Sequence, residues 1–188
     1  VMERKEGVIT QLREGVNALL TQPGITFIKG EAHFISDHII EVNGKQIEAK
    51  NIIIASGSRS KTPPFLKEED ITKQKVGEQK IVTSTEILSI NKIPRRLSMI
   101  GAGVIGMEFA SAFSAFGSEV TVIEFMKECL PPIDSDIAKR LRKSLEKRGV
   151  TFYMQSAVSR IDLCEENKET VKLIFKRKDK EETIETDL

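Results

Sequence analysis

Leu97-Ser98-Met99-Ile100-Gly101-Ala102-Gly103-Val104-Ile105-Gly106 decides how this chain is read. Four mostly apolar residues of strand character run into G-x-G-x-x-G, and the glycines lead into an apolar, small-residue stretch from Val104 to Phe116 that Gly117 closes. The first reads as a strand and the second as a helix with a glycine just past its end. Each glycine then has a mechanical use. Gly101 permits the tight turn out of the strand, Gly103 lets a ligand's pyrophosphate approach the backbone, and Gly106 lets the helix pack on the sheet. Amides at the start of that helix would face the phosphate charge.

Working outward, Glu119 to Ile123 forms a second apolar strand that ends in Glu124. That acid lies near the roughly 20-residue distance expected of a carboxylate that accepts both ribose hydroxyls of a dinucleotide's adenosine half. A carboxylate there repels a 2′-phosphate, which favours NAD(H) over NADP(H); Lys127 nearby argues mildly the other way. Ser135 to Arg148 follows as a helix with an acid-rich start, Ile137, Leu141 and Leu145 on one face and Gly149 at its end. Thr151 to Met154 completes an alternation of strand and helix. Val158 to Leu163, Thr170 to Phe175 and Glu182 to Thr186 are short segments separated by charged turns and predict an antiparallel meander. The fold class is therefore α/β, a Rossmann-like domain with a parallel sheet and an added β-meander.

Upstream, Val8, Leu12, Val16, Leu19 and Leu20 share one helical face, and Pro23-Gly24 ends the pattern. Ile25 to Ile28, Ala32 to Ile35, His38 to Val42 and Gln46 to Glu48 predict short strands, the last two joined by an Asn43-Gly44 hairpin turn. The β-branched run Ile52-Ile53-Ile54 predicts a buried strand ending at Ala55-Ser56-Gly57-Ser58. From Arg59 to Lys80 the chain is polar and carries Pro63-Pro64, as a connection between domains does, so the boundary falls near residue 58. Thr83-Ser84-Thr85-Glu86 opens a short capped helix before Pro94.

Composition narrows the partners. The 29 basic and 28 acidic residues leave a net charge of +1, which draws neither nucleic acid nor an anionic membrane. No apolar stretch approaches the roughly 18 residues of a membrane span. Cys129 and Cys164 match no metal or paired redox spacing and read as unpaired thiols in a reducing compartment. His33 and His38 lack companions at ligand spacing. Glu108, in the first turn of the helix after the glycines, gains from the helix dipole whether or not it serves a ligand. The absence of a leader favours the cytoplasm, or a mitochondrial matrix in a eukaryote, while a start at Val1 and an end at Asp187-Leu188 suggest interior points of a longer chain.

The wording of the motif adds a resemblance. I-G-A-G-V-I-G-M-E-F-A-S-A-F followed by G-S-E-V-T-V-I-E-F resembles the flavin-dependent pyridine nucleotide disulfide oxidoreductases, in their dihydrolipoyl dehydrogenase branch. N-I-I-I-A-S-G-S, V-T-S-T-E-I-L-S, L-P-P-I-D-S-D-I-A-K and L-E-K-R-G-V extend it over most of the chain. The resemblance implies NAD contacts at Gly101, Ala102, Gly103, Val104, Ile105 and Gly106, with Glu108 on the nicotinamide side, Glu124 at the adenine ribose and Val158 beside the adenine. It implies FAD contacts at Gly30, Ala55, Ser56 and Gly57, with Ser56 standing where the family usually has Thr. Glutathione and mercuric reductases usually place a base where Glu124 stands, which favours the lipoamide branch. On this resemblance residues 1–58 are a partial FAD-binding domain and residues 59–188 an incomplete NAD-binding domain. The 188 residues hold no amino-terminal G-x-G-x-x-G, no C-x-x-x-x-C and no interface domain with its His and Glu. The implied parent is a homodimer that serves a 2-oxoacid dehydrogenase or glycine cleavage complex, and the isolated chain is expected to bind dinucleotide without turnover. The alternatives are a sister FAD/NAD disulfide reductase and a non-catalytic nucleotide-binding module.

Overall fold

The computed structural model describes residues 1–67, 80–163 and 170–188, and the chain divides into two units, Val1–Arg59 and Ser60–Leu188. Cys164 and most of the polar connection after Arg59 lie outside the described residues. The first unit opens with α1, Met2–Leu20. The helix stops where the Thr21 hydroxyl donates to the carbonyls of Asn17 and Ala18, both at 3.1 Å, ahead of Pro23 and a left-handed Gly24. None of its residues is buried, so the apolar stripe through Leu12 and Val16 stays open within this unit.

Three antiparallel strands follow, β1 (Ala32–Ser36), β2 (Ile39–Val42) and β3 (Lys45–Glu48), in that order across the sheet. Asn43 and Gly44 both take positive φ, 52° and 73°, as the two-residue hairpin turn requires. Two expected strands are absent. Ile25 to Ile28 and Ile52 to Ile54 are irregular backbone, with Ile53 91% exposed rather than buried. β-Branched residues favour an extended chain, but a strand also needs a ladder partner, and neither segment has one among the described residues.

In the second unit a single 3₁₀ turn, Glu86–Ser89, replaces the short helix expected there. Its N-cap residue, Thr85, makes no side-chain cap bond; only the return half of the expected cap forms, with Glu86 accepting from the Thr83 amide at 2.8 Å and from the Thr83 hydroxyl at 2.5 Å. Then come β4 (Arg96–Ile100), α2 (Val104–Ala115), β5 (Glu119–Ile123), α3 (Ser135–Lys147) and β6 (Thr151–Tyr153). The three strands are parallel in the order β4-β5-β6. Leu97, Val120 and Val122 fill the core with Met107, Ala110 and Phe113 of α2.

α3 turns a different face inward from the one its apolar residues predict. Ala138 and Leu145 are buried while Ile137 and Leu141 are exposed. Arg142 lies between Ala138 and Leu145 in the helical repeat and pairs with Glu128, while Ala138 and Leu145 join the hydrophobic core. An antiparallel meander completes the unit: β7 (Ser156–Leu163), β8 (Val171–Arg177) and β9 (Lys180–Thr186). Phe175 and Leu173 pack with Ile123 at its base.

The chain then returns to the parallel sheet. Backbone groups of Arg95 and Gly101 bond toward β5, whereas the Arg96 carbonyl and the Ser98 amide bond to the Asp187 amide and the Leu188 carbonyl, at 3.0 and 2.9 Å. Asp187 also accepts from the Arg96 guanidinium at 2.7 and 3.0 Å. β4 is therefore an interior strand, with successive neighbours in the chain on one side and a returning segment on the other. Such a reversal of order is where α/β sheets open a crevice at the carboxyl ends of their strands.

Candidate functional site

Register brings the site together. Ile100 lies opposite Ile123 in the parallel ladder, so the residues that follow them, Gly101 and Glu124, leave the sheet side by side. The Gly101 amide donates to the Ile123 carbonyl at 2.8 Å, the last bond of the ladder. Gly101 has a φ of 104°, a conformation open to glycine, and the chain turns there into α2. A Cβ on Gly106 would collide with the Gly101 carbonyl oxygen, whereas one on Gly103 would meet nothing within 4 Å. The third glycine thus allows close packing and the second leaves the backbone open, as the motif requires.

Glu124 is buried, 7% exposed, and its two carboxylate oxygens are held separately. One accepts the amide of fully buried Ala102 at 2.5 Å and the other accepts the Met126 amide at 2.7 Å. Each oxygen keeps a further lone pair, so the carboxylate can still accept hydroxyls from a ligand. The loop beyond it is tied down by Glu128, which accepts from Arg142 Nε at 2.7 Å and Nη2 at 3.0 Å. That guanidinium holds the Glu128 carboxyl down at about 2. Burial pushes the neighbouring Cys129 thiol up to about 11, and Cys129 donates to the Ala138 carbonyl at 3.4 Å. A thiol in that state packs rather than reacts.

Residues 2–188 match the family model described as pyridine nucleotide-disulphide oxidoreductase. The chain belongs to this family. It is 36% identical over its whole length to a dihydrolipoyl dehydrogenase of Acholeplasma laidlawii, of which it covers 53%. It is also 36% identical over 167 residues to the mitochondrial dihydrolipoyl dehydrogenase of Pisum sativum, covering 86% of this chain and 32% of that one. Among solved structures, the HOCl-induced flavoprotein disulfide reductase RclA of Escherichia coli superposes with a TM-score of 0.80 at 31% identity, over 99% of this chain and 40% of that one. The chain therefore spans from about a third to about half of these relatives' lengths.

As pyridine nucleotide-disulphide oxidoreductases, the members use FAD together with a nicotinamide dinucleotide, and the two sets of expected contacts fare differently here. A cavity of about 530 Å³ opens at the glycine turn, bounded by Ser98, Ile100, Gly101, Gly103, Ile105 and Leu188. That volume suits a small-molecule group, and the glycine turn with Glu124 beside it fits a dinucleotide. Glu124 and Glu108 do not line the cavity; Glu108 is exposed and lies one residue past the first turn of α2 rather than in it, because the helix starts at Val104. Val158 is half-buried against Ile123 and Phe175, and the Ser156 amide bonds the Glu124 carbonyl at 2.9 Å, which keeps the start of β7 at the end of β5.

The flavin positions show no comparable geometry. A Cβ on Gly30 would meet the Asn43 side chain at 2.5 Å, and Asn43 donates to the Lys29 carbonyl at 2.9 Å, so hairpin packing gives that glycine a structural reason. Ala55, Ser56 and Gly57 are exposed. Their flavin role rests on the family resemblance. Sequence reasoning missed the Glu124 bond to Ala102 and the Arg142 anchor; the signal for the second was a lone basic residue in register with Ala138 and Leu145.

Proposed function

We propose that this chain is the NAD(H)-holding part of a flavoenzyme that oxidises dihydrolipoamide and passes electrons through FAD to NAD. The buried Glu124 carboxylate at the glycine turn is the observation that carries this reading. Gly101 to Gly106 would receive the pyrophosphate, Glu124 the adenine ribose, Val158 the adenine side and Glu108 the nicotinamide side. Bound there, the nicotinamide supplies a hydride acceptor; the chain's own part is to bind it, orient it and discriminate against a 2′-phosphate. Residues 1–58 contribute to the flavin domain through Gly30 and Ala55 to Gly57, and residues 59–188 form the nicotinamide domain. The whole enzyme works as a homodimer in a 2-oxoacid dehydrogenase or glycine cleavage complex, in cytoplasm or mitochondrial matrix.

Titration of the purified chain with NADH and NADPH by calorimetry tests the reading. NADH is expected to bind more tightly; equal affinity for the two would sink it. The 188 residues contain no C-x-x-x-x-C to handle a disulfide, so lipoamide reduction by this chain alone is not expected. A sister disulfide reductase is the second reading, favoured by the likeness to the Escherichia coli enzyme. Competing lipoamide against other disulfides in the full-length protein separates the two.

A further inference from the structure

Leu130 has a φ of 51°, the left-handed region that L-residues with large side chains avoid. It also precedes Pro131, a position steered toward extended backbone. The surroundings hold it there. Its amide donates to the Ala102 carbonyl at 2.9 Å, its own carbonyl accepts from the Ile133 amide at 2.8 Å, and its side chain is buried. Just before it, Cys129 is fixed by bonds to Glu128 and Ala138, with Glu128 pinned by Arg142. Strain of this kind persists only where neighbours over-determine it, and it gathers at ligand-binding loops.

The bond to Ala102 has a directional consequence. In a planar trans peptide the carbonyl and the next amide point opposite ways. With the Ala102 carbonyl turned to Leu130, the Gly103 N–H is turned away, at the residue whose surroundings are open. Glu124 holds the amide before Ala102, and Leu130 holds the carbonyl after it. We propose that Leu130 is a positioning residue of the dinucleotide site, using its strained backbone to aim the Gly103 amide at the pyrophosphate. The proposal rests on the dinucleotide reading above.

Two substitutions separate backbone geometry from packing. Leu130→Gly keeps positive φ at no steric cost and loses the buried side chain, whereas Leu130→Ile keeps apolar volume and sets a β-branched residue where φ is positive. The purified chain is titrated with NADH, melted thermally and its amides assigned by NMR. Leu130→Ile is expected to weaken NADH about tenfold and shift the Gly103 amide resonance, while Leu130→Gly melts lower yet binds within about twofold of wild type. Affinity that simply follows melting temperature across the three proteins overturns the proposal. Should Leu130→Gly not fold, the scalar coupling across the hydrogen bond from the Leu130 amide to the Ala102 carbonyl decides. Its presence in wild type and loss in Leu130→Ile supports the proposal, and its absence from wild type refutes it. Wild type that shows the coupling but binds no NADH refutes the dinucleotide reading and, with it, the assignment of this held peptide to a ligand.

Discussion

Removing the Glu124 carboxylate should cost stability and affinity together, in amounts that the geometry sets. In Glu124→Ala the amides of Ala102 and Met126 lose their acceptor. Ala102 is fully buried, so its amide finds no water, whereas Met126 is 48% exposed and hydrates readily. Hydrogen bonds to charged groups are worth about 1.5–3 kcal/mol each, which puts the loss at about 2–4 kcal/mol, most of it at Ala102. For a chain of this size that lowers Tm by roughly 4–16 °C. The ligand term is separate and follows from the proposed placing of the ribose: two hydroxyls would lose a charged acceptor, so NADH affinity should fall about 100-fold, and NADPH affinity less because a repulsion disappears with the attraction. Calorimetric titration with both dinucleotides, alongside thermal melts of Glu124→Ala and Glu124→Gln, measures the two terms. The glutamine variant keeps the shape and one acceptor, so it reports on binding should the alanine variant unfold. Unchanged NADH affinity in a folded variant would refute the placing of the ribose at this carboxylate.

Other outcomes follow from single contacts. Gly106→Ala forces the added methyl against the Gly101 carbonyl oxygen and should destabilise the chain by about 1–3 kcal/mol, read from urea unfolding; no change would mean that α2 does not pack on the turn. Arg142 holds Glu128 at about 2 in the folded chain, below its ordinary 4.5, so this pair's stabilisation is full above pH 4.5 and is lost as pH falls toward 2. The loss amounts to no more than about 3.5 kcal/mol, and Glu128→Gln should flatten that part of the stability profile. Cys129, raised to about 11 and buried, should stay unmodified by iodoacetamide at pH 8 in the native chain and label on unfolding, as peptide mass spectrometry would show.

How much of this could be read from the residues follows from the range of the interactions involved. The Asn43-Gly44 turn and the strand, glycine turn and helix from Leu97 to Phe116 were legible because their causes lie within a few residues of each other. Ile52 to Ile54 misled because β-branched side chains predict extension but not a partner. The inward face of α3 was read only in part: Leu145 is buried as expected, but the small Ala138 takes the place given to Ile137 and Leu141, and the Arg142–Glu128 pair forms only once the loop has folded back on the helix. Leu130 was invisible for a sharper reason: nothing in Cys-Leu-Pro-Pro announces a positive φ, and the bond that ties its amide to Ala102 comes from 28 residues upstream.

That last case bears on how cofactor choice is built into such a sheet. Parallel strands that end level leave unpaired amides at their carboxyl ends, and the turn after β4 is short of acceptors because its side chains are Gly, Ala and Gly. Glu124 answers the Ala102 amide, and on the proposed reading the same carboxylate would also meet the ribose, so that one group would serve both folding and recognition. Exchanging it for a base to favour a 2′-phosphate would set a cation against a buried donor and leave that donor unmet. A change of preference at this position alone should therefore yield an unstable protein. It becomes tolerable only when a second substitution supplies a new acceptor for the Ala102 amide, and pairing a Glu124→Arg variant with such a change is the way to check it: the double variant should regain thermal stability that the single one lacks.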